Sequence, residues 1–180
     1  MLRIISNKYS SGLLMATVLT LSGCGVQQAV VDGSVSAFDA VFYKQIKTLR
    51  LDFTARESLN SDAREHNPLS EPVMVRVYQL KTRKSVDATV YQQLTTEEAD
   101  ALQDDLLAQR DLVVTPGGAV SLTMPMEKDA HFVAVAALFQ HPDLKNNTWR
   151  LVLSRSDLNA DKPRTIELDS RHLQLREEQP

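Results

Sequence analysis

Apolar and polar residues alternate along several short stretches of the chain, which is the pattern of β-strands with one face in a core. Leu49, Leu51 and Phe53 are apolar and are separated by polar residues. The segment 132–139 is apolar without a break, which predicts a strand buried on both faces. The predicted strands lie at 48–54, 73–80, 88–94, 120–126, 132–139, 149–154, 165–168 and 172–175.

One stretch has helical spacing instead. Thr95 and Glu98 form a capping box, which is typical of the first turn of a helix. Apolar residues then follow at intervals of three to four, at Ala99, Leu102, Leu106 and Leu107. The opposite face carries Asp104 and Asp105, which we expect to face water. The sequence therefore predicts one helix between strands.

These elements together predict a mainly β fold, a β-sandwich of about seven or eight strands with one inserted helix. The segment Thr115–Gly118 is a turn sequence, because its two glycines tolerate positive φ. The connection Arg56–Glu71 is much longer than the two to five residues usual in a hairpin. Such a loop is either functional or a tolerated surface insertion.

The N-terminus reads as an export signal. Arg3 and Lys8 precede an apolar stretch at 12–21, which at about ten residues is too short to span a bilayer. Leu21-Ser22-Gly23-Cys24 then resembles the lipobox of bacterial lipoproteins, and Cys24 is the only cysteine in the sequence. An ordinary secretory signal with an incidental cysteine is the alternative. A lone exported thiol favours lipidation at Cys24.

The resulting domain prediction has three parts. Residues 1–23 are the lipoprotein signal peptide, 24–47 are a lipidated tether that includes a possible short helix, and 48–180 are the β-sandwich domain. Gly25 occupies the position at which an aspartate would retain a lipoprotein in the inner membrane. We therefore expect a lipid anchor in the outer membrane, on its periplasmic face.

Composition and motifs argue against several function classes. The formal net charge of -3 becomes -5 once Arg3 and Lys8 are removed with the signal, which disfavours nucleic-acid binding. The four histidines, His66, His131, His141 and His172, lack metal-ligand spacing, and no G-x-S-x-G or phosphate-loop motif is present. We therefore expect no cofactor, no metal and no small-molecule substrate, and favour a binding module over an enzyme. The alternatives are a carrier of a small apolar ligand and a cell-wall enzyme.

Several segments between Thr48 and Leu153 resemble the outer-membrane lipoproteins of the type VI secretion system, the TssJ (SciN) family. The most specific is Val-Arg-Val-Tyr-Gln-Leu at 75–80 within the segment 72–80. The others follow in order: Asp104-Asp105-Leu106, the Pro116-Gly117 turn, Phe132–Phe139 and Trp149-Arg150. The tail beyond Leu153 departs from the family pattern.

The resemblance implies a transthyretin-like β-sandwich that recruits the periplasmic C-terminal domain of the inner-membrane protein TssM. TssL would be joined indirectly, through TssM. In the family the loop between the first two strands carries much of this contact, and here that loop is Arg56–Glu71. The candidate partner-binding residues are Arg56, Glu57, Ser58, Leu59, Asn60, Ser61, Asp62, Ala63, Arg64, Glu65 and His66. Of these, Arg56 and Leu59 are the expected cationic and apolar anchors.

Overall fold

A computed structural model describes residues 46–61, 69–95 and 100–177. These residues form two four-stranded sheets around a shared core, which confirms the predicted β-sandwich. The predicted signal peptide and nearly all of the tether, including its possible helix, lie outside the described residues. The strands are β1 (Thr48–Ala55), β2 (Val73–Leu80), β3 (Leu106–Val114), β4 (Ala119–Pro125), β5 (Phe132–Ala137), β6 (Arg150–Ser154), β7 (Arg164–Leu168) and β8 (Leu173–Leu175).

Strand pairing divides the chain between the two sheets. The first sheet has the order β4-β1-β7-β8, in which β1 runs antiparallel to β4 and parallel to β7. The second sheet has the order β3-β2-β5-β6, and all of its neighbouring strands are antiparallel. The register of β2 against β3 shifts between Gln79 and Leu80.

The core lies where the alternation predicted it. Leu51 and Phe53 of β1 are fully buried, as are Val75 and Val77 of β2. From β5 and β6, which lie beside β2 in the second sheet, the core takes Val133, Val135 and Leu153, with Leu151 half-buried at its margin. The segment 132–139 was predicted to be a central strand, and β5 does lie inside its sheet. Burial of these apolar side chains between the sheets therefore stabilises the sandwich.

The connection 81–105, between β2 and β3, differs from the prediction. It contains two short helices, α1 (Lys84–Ala88) and α2 (Tyr91–Thr95), and a 3-10 turn at Asp100–Leu102. The strand predicted at 88–94 is therefore wrong. No helix in the described part of the chain is long and apolar enough to cross a membrane.

The predicted helix from Thr95 to Leu107 is also wrong. Leu106 and Leu107 open β3, and Thr95 ends α2. The spacing of three to four residues arises because Leu102 is buried in the 3-10 turn while Leu106 pairs with Leu80 of β2. Strand pairing thus outweighs the local helical signal. Residues 96–99, with the rest of the capping box, lie outside the described part of the chain.

Asp105 was expected to face water, yet it is buried. Its carboxylate accepts hydrogen bonds from the backbone N–H of Ser85 (3.0 Å), from the Ser85 hydroxyl, and from the Thr82 hydroxyl (2.8 Å). These bonds, those from Ser85 first, hold the pKa of the Asp105 carboxyl below its usual value. The backbone of Lys81 also donates to the Asp105 carbonyl at 2.9 Å. Asp105 therefore fastens the base of the connection 81–105.

Replacing Asp105 with Asn should destabilise the domain by about 1–3 kcal/mol at neutral pH, since an amide cannot accept all of these hydrogen bonds. A carboxyl whose pKa is lowered by folding stabilises the fold above its unfolded pKa of about 3.9, and loses this effect as the pH falls through the folded pKa. The difference between wild type and variant should therefore narrow below about pH 4. Urea denaturation, monitored by Trp149 fluorescence, measures this difference in the free energy of unfolding.

The control is the exposed neighbour, Asp104→Asn, which should leave stability nearly unchanged. An Asp105→Asn variant as stable as this control at pH 7 would contradict the role assigned to Asp105.

Candidate partner-binding site

The strand registers bring four connections to one end of the sandwich. Thr54 pairs with Ala119, and Ala55 with Leu168, so β1 and β7 end where β4 begins. In the second sheet, Val73 pairs with the last residue of β3. The connections at this end, here called the four-connection end, are 56–72, 115–118, 138–149 and 169–172.

The other end holds the remaining connections: 81–105, 126–131 and 155–163. The described chain also begins there, because Ile46 and Lys47 precede the first residue of β1 and Lys47 accepts a hydrogen bond from Met126. β1 has 8 residues, which at about 3.3 Å per residue separates the two ends by roughly 26 Å. The start of the domain and the four-connection end are thus at opposite poles.

The first residues of the long loop are bound to two neighbouring connections. The Arg56 N–H donates to the Leu168 carbonyl (3.0 Å), and the Arg56 carbonyl accepts from the Gly117 N–H (3.2 Å). The Glu57 carboxylate lies against the same turn, close to the Gly117 Cα. Gly117 has a φ of +66°, a conformation that favours glycine. The loop and the predicted turn therefore form one surface.

The Arg56 side chain is exposed, and its Nε lies 3.8 Å from the Oδ2 of Asp169. The same carboxylate group lies near the Ser58 hydroxyl (3.3 Å) and the His172 Nε2 (3.4 Å). Sequence reasoning missed Asp169 because 113 positions separate it from Arg56, and nothing in the local pattern links them. At an exposed site such ion pairs contribute little to stability, so the Arg56 guanidinium remains available to a partner.

Leu59 was the expected apolar anchor, and this assignment is wrong for the described structure, because the side chain has no exposed surface. The next residue, Asn60, is also buried and adopts a φ of +53°. Its Oδ1 accepts a hydrogen bond from the Gln140 N–H at 2.8 Å. These two residues attach the loop to the core rather than to a partner.

A second set of hydrogen bonds closes the base of the loop. The Glu71 N–H donates to the Leu59 carbonyl at 3.2 Å, and the Gln140 amide donates to the Glu71 carboxylate. We call Leu59, Asn60, Glu71 and Gln140 the neck. Next to the neck, Leu69 is 68% exposed, and Asp62, Ala63, Arg64, Glu65 and His66 lie outside the described residues.

The chemistry of this end is that of a recognition surface. Within the described residues, no group of three or more His, Cys, Asp or Glu side chains is placed to hold a metal ion. The exposed side chains at the loop's start, Arg56, Glu57 and Ser58, offer both charges and a hydroxyl. Side chains that are fully buried fill the space between the sheets, which disfavours the alternative of a ligand carrier.

The neck yields a stability prediction. Asn60→Ala should cost about 2–3 kcal/mol, because it removes the acceptor for Gln140 and places a Cβ-bearing apolar residue at positive φ. Asn60→Gly should cost less, since it removes only the acceptor. Urea denaturation measures the loss in free energy of unfolding for both variants.

Asn147 provides a matched control, because it has nearly the same φ (+54°) but is exposed. Asn147→Ala should show the backbone cost alone, about 1 kcal/mol. Equal losses at the two positions would mean that the hydrogen bond to Gln140 does not hold the neck.

Comparison with known proteins places this geometry in context. Residues 47–171 match the family model described as type VI secretion lipoprotein (VasD, EvfM, TssJ). No curated protein matches the chain in sequence. A chain in a solved structure described as "Type VI membrane complex" is 45% identical, with a TM-score of 0.68, and the match covers 73% of this chain and 99% of that one.

Two further solved structures are similar. A chain in the structure described as "T6SS protein TssM C-terminal domain (869-1107) from EAEC" is 43% identical over 73% of this chain and 99% of that chain, with a TM-score of 0.65. Lip of Serratia marcescens, a membrane-bound component of the type VI secretion system, shares the fold at 20% identity and a TM-score of 0.63, over 73% and 98% of the two chains. Because the family model spans most of the sequence, the chain belongs to the type VI secretion lipoprotein family.

Proposed function

We propose that this lipoprotein is a structural component of the type VI secretion membrane complex, anchored by lipid on Cys24 in the outer membrane. It binds the periplasmic C-terminal domain of TssM through the four-connection end, and is joined to TssL indirectly through TssM. The observation that carries the proposal is that the loops and the start of the domain lie at opposite ends. The loop surface is at one end, and Ile46, which follows the proposed tether, is at the other.

The comparisons support TssM as the partner. A chain 43% identical to this one is present in a structure described by the TssM C-terminal domain, and a chain 45% identical is present in a type VI membrane complex. Family membership supports a structural role, not a catalytic one.

The opposite placement of the chain start and the loops gives a physical reason for the proposed positions of anchor and partner. The described chain begins at Ile46 and Lys47, so a tether joined there enters the domain at the pole opposite the loops. The four-connection end then points away from the membrane, toward a protein that arrives across the periplasm. Loops on a rigid sandwich suit recognition because they vary without disturbing the core.

Because Leu59 and Asn60 of the neck are buried, the set of candidate contact residues changes. Arg56, Glu57 and Ser58 remain candidates because their side chains are exposed, and residues 62–66 remain candidates from the sequence. Leu69 replaces Leu59 as the apolar anchor, since it is 68% exposed and lies next to the same neck.

Replacing residues 61–70 with a Gly-Ser linker of equal length should weaken TssM binding by about tenfold or more, because interface energy concentrates in a few side chains. Leu59, Asn60 and Glu71 are retained, so the neck and the fold survive. Titration of the purified full-length lipoprotein in detergent against the TssM domain measures the affinity.

The control replaces Glu127, Lys128 and Asp129, at the opposite end, with Gly-Ser-Gly. This change keeps the backbone groups through which Glu127 bonds Gln79 and Arg155, and it should leave the affinity unchanged. A folded 61–70 variant that binds as tightly as wild type would exclude this segment from the contact.

The outer-membrane location is tested by sorting. Gly25→Asp should move the protein from the outer to the inner membrane, because it supplies the retaining residue after Cys24. Cys24→Ser should instead prevent lipid attachment and leave the protein outside the outer-membrane fraction. Density-gradient separation distinguishes protein in the outer membrane, protein in the inner membrane and protein in neither. An unlipidated Cys24→Ser variant that still co-migrates with the outer membrane would contradict the anchor.

A further inference from the structure

The outer face of the second sheet is covered by the connection 81–105. Arg76 of β2 is buried there, and its Nη1 donates to the Leu94 carbonyl at 2.8 Å. Arg150 of β6 donates to the Thr89 carbonyl at 2.9 Å. Tyr91 meets the Trp149 ring edge-on, with the centroids 5.2 Å apart. The outer face of the central strand β2 is therefore shielded from water from Arg76 to Leu80.

The cover does not extend over the cross-strand row next to the four-connection end. Met74 pairs directly with Val113 of β3, and on its other side the Met74 carbonyl accepts a hydrogen bond from the Leu138 N–H at 2.9 Å. Met74 is 41% exposed, Val113 is 52% exposed and Leu138 is half-buried. We call Val113, Met74 and Leu138 the apolar row.

Other exposed apolar side chains gather at the same end. Among the described residues, five large hydrophobic side chains are exposed, and four of them belong to this end. These four are Leu69, Met74, Val113 and Leu144, whereas Val90 lies between α1 and α2. Exposed apolar groups that gather at one pole indicate a surface that becomes covered, whereas scattered ones do not.

Polar groups border the apolar row on both sides. On the sheet side lies the ion pair of Arg76 with Asp111, whose Nε and Oδ2 are 3.4 Å apart. On the loop side lie Glu71 and Gln140 of the neck, which are hydrogen-bonded to each other. An apolar centre with a polar rim is the usual anatomy of a protein–protein interface.

We propose that the apolar row is the hydrophobic part of the contact with the TssM periplasmic domain, extending that contact from the loop onto the outer face of the second sheet. This inference rests on the proposed function. The row is continuous with the loop, because Leu138 lies two residues before Gln140 and Met74 three residues after Glu71. Protein suits the row better than lipid, because polar groups border the row on both sides.

The test is a double substitution, Met74→Ser with Val113→Thr, in the full-length lipoprotein in detergent. Both changes keep the strand backbone, and both side chains are exposed, so the domain stays folded, as urea denaturation checks. The affinity for the TssM domain should fall by about tenfold or more, because the apolar centre of the contact is lost. Met74→Leu, which keeps the side chain apolar, should bind as wild type does.

Val90→Thr is the matched control, because it makes the same change at a valine of similar exposure outside the row. It should leave the affinity unchanged. If the double variant binds as wild type does while the 61–70 replacement weakens binding, the contact is confined to the loop and the apolar row plays no part. If neither weakens binding, the proposed function at this end also fails.

Discussion

The site depends on the hydrogen bonds that tie residues 55–60 to both sheets. The Ala55 N–H donates to the Gly118 carbonyl (2.9 Å), and that of Arg56 donates to Leu168, both at the end of the first sheet. Asn60 then accepts from Gln140, which follows the last residues of β5 in the second sheet. The start of the loop is therefore fixed to both layers before any partner binds. Fixing these residues in advance lowers the conformational entropy that binding costs.

The proposed function assigns anchoring and recognition to the two poles of the domain. The described chain begins at Ile46, at one pole, and the other pole gathers four connections. Residues of the connection 81–105 bury the outer face of the second sheet, held at their base by Asp105. That cover stops short of Met74, so the exposed apolar surface lies beside the loop at the binding pole. In the proposed function, anchoring and recognition therefore use different surfaces of the domain.

Seven of the eight strands could be predicted from the sequence, because alternation reports directly which face of a strand is buried. The exception is β3, which follows the connection 81–105, because its first residue, Leu106, belongs to a strand although its spacing is helical. β3 forms because it pairs with β2, and no local sequence pattern indicates such long-range pairing. At the site, loop length and family resemblance indicated the segment 56–71, but not that Leu59 faces the core. Burial of one apolar residue in a polar loop depends on contacts distant in sequence, as the hydrogen bond from Gln140 to Asn60 illustrates.

Hydrogen–deuterium exchange tests the central claim, that recognition occurs at the pole opposite the anchor. Exchange would be followed on the full-length lipoprotein in detergent, with and without the TssM periplasmic domain. The account predicts slower exchange on binding in 56–72, 115–118 and 138–149, with no change in 126–131 and 155–163 at the other pole. Slower exchange confined to 126–131 and 155–163 would contradict it, because the partner would then occupy the pole from which the lipid tether leaves.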